Sequence, residues 1–233
     1  MKNGIFVLSL LMTFNLAAQG NLSPKDAQGN KHGEWRKLYE NKKLRYTGTF
    51  DHGVPVDTFK YYFPTGDLQA INVFRAKTGH SYSYQYGEGK QVAAEGLYKN
   101  RQKDSTWTYY NADGKVVGRE NYKEGVKEGP SINYYANGKV AESLIYVNGK
   151  KEGEWLQFYE SGEPMAKGIY VNGSLHGPAM YFFSSGKPRL KGNYVRGLMD
   201  GPWYHFNASL KLEKKEVWDR GRLMEEKKEE KKK

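Results

Sequence analysis

A recurrence every 24 residues constrains this chain more than any other property. "YVNGKKEGEW" at 146–155 is answered by "YVNGSLHGPA" at 170–179, and stepping from Tyr146 in both directions meets Phe50, Phe74, Tyr98, Tyr122, Tyr170, Tyr194 and Trp218, all aromatic. A second register holds Leu38, Tyr62, Tyr86, Tyr110, Tyr134, Phe158, Phe182 and Phe206. A third is looser, with Trp35, Phe59, Ser83, Trp107, Ser131, Trp155, Ala179 and Trp203. Self-similarity at a fixed period of this length marks one supersecondary unit stacked many times. The spacing predicts eight 24-residue units over residues 33–224, preceded at 19–32 by a half repeat or cap.

Each unit reads as a β-hairpin. In residues 153–176 an aromatic-rich run ends at "ESGE", and a second run from Pro164 to Val171 ends at "NGSLHG". Short β-prone runs between Gly, Asn and Ser punctuation are strands and turns. Gly and Pro interrupt too often for a helical stripe to persist. Two strands per unit, at ~4.8 Å per strand, advance the sheet by about 9.6 Å per unit. The fold class is therefore all-β, an elongated single-layer antiparallel meander. Gly48, Gly96, Gly168 and Gly192 fall two residues before the first aromatic row, where a missing side chain lets a neighbouring ring lie over the backbone. The row Phe50 to Trp218 is read as structural packing.

The two ends differ from the repeats. One Lys, an apolar run from Ile5 to Leu16 and then Ala17–Ala18 describe a secretory signal peptide over 1–18, too short for a comfortable membrane span. It implies export to a periplasmic or secreted location. With no Cys there is neither a disulfide framework nor a lipid-acceptor thiol. Residues 225–233, rich in Lys and Glu, read as a disordered or helical tail that helps to blunt the last sheet edge. The net charge of +11 favours anionic partners, and export disfavours nucleic acid.

The pattern G-x-W-x-x-F-Y-x-x-G followed by G-x-Y-x-x-G-x-x-x-G, from Gly153 to Gly177, resembles the variant MORN repeat of bacterial proteins often labelled YwqK-family antitoxins. The resemblance covers about residues 29–224. It implies an elongated β-meander that binds other molecules and is not itself an enzyme; the bacterial family is associated with toxin neutralisation, and eukaryotic MORN proteins with membranes and scaffolding. The unit at 81–104 departs from the pattern, with Ser83 for Trp and Arg101 for a turn Gly, and "RAKTGH" at 75–80 shifts its glycine to Gly79.

No enzyme signature is present. G-x-S-x-G and H-E-x-x-H are absent, "GEG" at 87–89 lacks the third glycine of a dinucleotide loop, and a single-layer sheet offers no evident catalytic cleft. His32, His80 and His176 share a register with Asp104, Glu128, Glu152 and Asp200, but neighbours on it stand ~10 Å apart, too far for one metal ion. They read as solvated turn residues; neither metal nor cofactor is expected. The third register and the Tyr39 register exchange Trp and Tyr for Ser, Ala, Gly and Asn. Trp107, Trp155, Trp203, Tyr135 and Tyr159 are therefore the candidates for a partner-binding face. The functional expectation is a non-catalytic exported scaffold that binds another protein, antitoxin-like or envelope-associated. The alternative is an envelope binder of anionic lipid or glycan.

Overall fold

The computed structural model describes residues 22–75, 78–87 and 90–228; the signal peptide expected at 1–18 and the last five residues lie outside them. The strands are β1 (Gly33–Leu38), β2 (Leu44–Asp51), β3 (Val54–Tyr62), β4 (Leu68–Phe74), β5 (His80–Tyr86), β6 (Val92–Lys99), β7 (Gln102–Tyr110), β8 (Val116–Lys123) and β9 (Val126–Tyr134). They continue as β10 (Val140–Val147), β11 (Lys150–Phe158), β12 (Pro164–Val171), β13 (Ser174–Leu175), β14 (Gly177–Phe182), β15 (Pro188–Val195), β16 (Leu198–Phe206), β17 (Leu212–Asp219) and β18 (Arg222–Lys228). All belong to one antiparallel sheet in which strands next to each other in sequence pair in space. Eight hairpins follow one another as the 24-residue spacing predicts.

Turn chemistry explains the regularity. Between hairpins, residue pairs such as Asn148–Gly149 and Asn172–Gly173 both take positive φ, the requirement of a type I′ turn, whose twist matches that of the strands. At the corresponding place Arg101 holds φ 66° without being glycine, a conformation that costs an L-residue about 1–2 kcal/mol. Successive turns are tied together. The Asn148 N–H donates to Glu128 Oε2 at 2.7 Å and the Asn172 N–H to Glu152 Oε2 at 2.8 Å. The register expected to be merely solvated thus caps the following turn.

One face of the sheet carries the core. Phe59, Ser83, Trp107, Ser131, Trp155, Ala179 and Trp203 are all buried, and in chain order they alternate large and small. Each large ring occupies space that its smaller neighbours leave, the complementarity of a packed interior. The Phe59 ring lies over Gly48, Trp107 over Gly96 and Trp203 over Gly192. Phe50, Tyr98 and Tyr194 meet these rings edge-on, with centroids 5.1, 4.9 and 5.0 Å away.

The two ends are covered differently. Leu22 bridges Arg36 on β1, and the Trp35 Nε1–H donates to the Pro24 carbonyl at 2.9 Å, so the segment before β1 lies along that edge. The tail differs from expectation: residues 225–228 continue β18, paired with β17 from Asp219 back to Lys214. The open backbone of β17 offers hydrogen bonds that a disordered or helical tail would leave unmade. The exposed charged side chains of β18 then make a poor template for further pairing.

Candidate functional site

The structure moves the five predicted partner-binding residues into the scaffold. Trp107 and Trp203 are 0% exposed and Trp155 is buried, so none can anchor a partner on the surface. Their register exchanges residues because large and small side chains alternate in one packed row. Tyr135 and Tyr159 are half-buried, and their hydroxyls donate to the carbonyls of Phe158 and Phe182, 2.6 and 2.7 Å away in the next hairpin. Where the same register holds Asn111 or Asn207, the amide oxygen instead accepts N–H groups of its own turn. Either side chain satisfies backbone groups, which is why both are tolerated.

Among the described residues, the packed face opens across its third to sixth strands. A groove of about 970 Å³ lies across β3 to β6, lined by Phe59, Phe74, Tyr98, Asn72, Ser83 and Arg101 among others. Several local departures from the repeat make it. The β4–β5 pairing runs without the bulge seen at seams such as β10–β11 and β15–β16, so Asn72 faces Ser83 and Phe74 faces Ser81 directly. In three central units a lysine folds over the aromatic row, with Lys103 Nζ 4.2 Å from the Trp107 ring centroid, Lys127 5.0 Å from Tyr146 and Lys151 4.9 Å from Tyr170, while Leu175 and Met199 take that position later in the chain. The matching positions at the groove are Pro55 and Gly79, which have no amine to supply.

Polar groups in the row are otherwise well partnered. Glu120, 24 residues after Gly96, pairs with Lys127 and accepts the Tyr122 hydroxyl at 2.6 Å. Burial alone would raise its carboxyl, but these bonds, with that of Tyr109, hold it below the usual range. Glu216 on the same register accepts from Lys214 at 2.5 Å and lies 3.0 Å from His205 Nε2. Burial would raise it too, and its partners Lys214, His205 and Trp218 hold it at about 2. Asn72 occupies this register in the groove, and its buried Oδ1 has no hydrogen-bond partner. Beside it, burial pushes the Tyr61 phenol up, Tyr46 adds to the shift, and Arg101 opposes it.

The opposite face is open along its length. Val73, Tyr82, Ile145 and Ile169 remain 39–42% exposed. Cations lie over its rings: Arg119 at 5.8 Å from Tyr134, Lys167 at 5.9 Å from Phe182, and Lys191 at 5.5 Å from Tyr204. A shallow groove of about 680 Å³ between Ile169, Pro178, Met180 and Tyr204, rimmed by Lys167 and Lys191, is its most apolar part.

A histidine cluster at the first turn escapes a reading of registers one at a time. His32, Asp51 and His52 bring candidate donor atoms within 4.8 Å of one another because His52 enters from the neighbouring turn. Asp51 Oδ1 is 3.7 Å from both His32 Nδ1 and His52 Nε2, longer than the roughly 3.3 Å between donors on one tetrahedral ion. His52 Nδ1 lies 2.7 Å from Asp26 Oδ2. Burial alone would raise Asp26, yet bonds from His52, Asn30 and Gln28 hold it at about 2. The cluster ties the N-terminal segment to the first turn.

Fold and surfaces together define a β-hairpin repeat protein with one packed face and one open face. The family profile described as the MORN repeat variant matches residues 31–52, 103–124, 127–148 and 151–172, so these four segments are similar to MORN-variant repeats. The matched segments leave out 53–102, which holds most of the groove. Among solved structures, S. aureus TarM is 18% identical over 41% of this chain and 19% of its own, with a TM-score of 0.32. A Photorhabdus luminescens Tc holotoxin pore is 12% identical over 86% of this chain and 13% of its own, at 0.24. A Bacteroides fragilis protein of unknown function is 8% identical over 90% of both chains, at 0.11. The chain thus spans less than a fifth of the first two structures it resembles, and no functional parallel is drawn from them. No curated protein sequence matches it.

Proposed function

We propose that this chain is a non-catalytic, exported scaffold whose open face binds an acidic protein. The observation that carries this reading is the row of exposed apolar side chains on that face, interleaved with cations stacked on rings. Apolar area supplies affinity, and cations already positioned by rings meet carboxylates with little loss of side-chain freedom. The groove between Ile169, Met180 and Tyr204 is the natural anchor point because it is concave and ringed by lysines. Export rests on the N-terminal signal sequence. An immunity role, neutralising a toxin outside the cytoplasm, is the finer form of the same reading and follows the resemblance to antitoxin-labelled relatives.

The test is site-directed photocrosslinking in the native envelope. A crosslinker at Met180 captures one acidic protein, and the same group at Glu160, on an exposed turn, does not. Ile169→Asp abolishes capture, and rising salt weakens it. Equal capture from both positions, or none from Met180, would remove the open face as the binding surface.

A further inference from the structure

We infer that the groove at the β4–β5 seam is a binding site for an acidic saccharide, separate from the open face. Two part-exposed rings line it: Phe74, which meets the buried Phe59 edge-on at 5.3 Å, and Tyr98, whose hydroxyl accepts from Gln85 Nε2 at 3.1 Å. Rings without a covering lysine suit the apolar C–H face of a pyranose. The amides of Gln85 and Asn72 supply the polar wall, beside the buried Ser81 and Ser83. The Asn72 oxygen requires a donor, and among simple ligand groups a sugar hydroxyl donates and accepts at once. Three cations line the site, Lys31, which lies over Phe50 at 4.7 Å, Arg75 and Arg101, so the sugar that fits carries a carboxylate or a phosphate. A volume of about 970 Å³ is large enough for two or three sugar rings.

Arg101 adds a charged side chain to the cleft at a backbone position that glycine would suit better. Each regular turn at this place holds glycine, whereas Arg101 keeps a positive φ that its side chain makes unfavourable. A strained residue in a cleft, beside an unpartnered acceptor and missing packing groups, is the pattern of a position retained for binding. Ser83 is one of the small members of the alternating row, and its cross-strand partner Gly96 is already covered by the Trp107 ring, so the cleft owes its character to the groups around them.

The experiment is calorimetric titration of residues 19–233 with tri-galacturonate, sialyllactose and glucose 6-phosphate, with maltotriose as the neutral control and vesicles containing an anionic lipid as a separate arm. At least one acidic sugar binds below about 1 mM while maltotriose binds roughly tenfold more weakly or not at all. Arg101→Gly weakens that sugar roughly tenfold or more, the loss of one charge-assisted bond, while the melting temperature stays level or rises. Failure of all three acidic sugars, or binding unchanged in Arg101→Gly, overturns the site. Vesicle binding that Arg101→Gly abolishes, without sugar binding, overturns it in favour of a lipid headgroup. Capture at the open face is unaffected by Arg101→Gly, so the two surfaces fail separately.

Discussion

Trp155 and Trp203 occupy the same register, yet their indoles choose different partners. The Trp203 and Trp107 Nε1–H groups donate to the carbonyls of Asn193 and Leu97, 3.1 and 3.0 Å away, with the rings laid over Gly192 and Gly96. Leu144 fills the equivalent place before Trp155, so that ring leans toward Gly168 and donates to Glu142 Oε1 at 2.9 Å. A Cβ added at Gly96 would stand 2.5 Å from Trp107 ring atoms, whereas one at Gly168 would stand 3.3 Å from Trp155. Gly96→Ala should therefore cost about 1–3 kcal/mol as an overpacked core, and Gly168→Ala under about 1 kcal/mol. Urea midpoints measure both, and equal effects would contradict the ring placement. Glu216 makes a pH prediction. Its carboxyl falls from an ordinary 4.5 to about 2 on folding, so its stabilisation is complete above about 4.5 and is lost as pH falls toward 2. Glu216→Gln should lower stability at pH 7 by about 1–3 kcal/mol and flatten the loss between pH 4.5 and 2, followed by tryptophan fluorescence.

At the scale of the hairpin, each unit is fastened to the next at both ends of its strands. The Asn137 amide donates to the Glu160 carbonyl at 3.1 Å and Lys139 Nζ to that of Ser161, beside the Tyr135 bond to Phe158. Removing one such donor is a clean test: Tyr159→Phe should cost about 0.5–1.5 kcal/mol and speed amide exchange at the 183–187 turn, leaving the 63–67 turn unchanged. Exchange equally altered at both turns would show a global effect and no local staple. These units were legible in the sequence because turn residues and aromatics keep a constant interval. The use of the Trp row was not legible. Ser83, Ser131 and Ala179 look like tolerated exchanges when read down their register, but each lies between large rings a unit away, and each ring meets a glycine 11 or 13 residues distant. Complementarity between registers does not show in any one of them. The tail was misread for a related reason: pairing of residues 225–228 depends on the open edge of β17 and hardly at all on their own strand preference. The groove announced itself only as departures, Ser83, Gly79 and Arg101, whose convergence needed the missing bulge at β4–β5 to be seen.

Over the whole molecule, a one-layer repeat sheet holds together by contacts between neighbours, so its stability is a sum of units and seams. The seams are unequal. Phe59, Trp107, Trp155 and Trp203 each lock the seam they cross, and the remaining ones have substitutes: Lys127 pairs with Glu120 across β8–β9, and Leu175 and Tyr181 pack against the Trp155 cluster across β12–β14. At β4–β5, the packed face pairs only Asn72 with Ser83 and Phe74 with Ser81, the Asn72 oxygen finds no partner, and side-chain support comes from Ile71 with Tyr84 and Val73 with Tyr82 on the open face. No ring laid over a glycine locks the packed side of this seam as Phe59 does at β2–β3 and Trp107 at β6–β7. The first two hairpins should therefore open as a unit, with residues 44–74 exchanging their amides at a lower free energy than residues 103–147. An acidic sugar in the groove should bring the two segments together by linking Asn72 to Arg101. Hydrogen exchange measured peptide by peptide decides it: uniform protection from β2 to β10 in the free protein would mean that this seam is as strong as the rest.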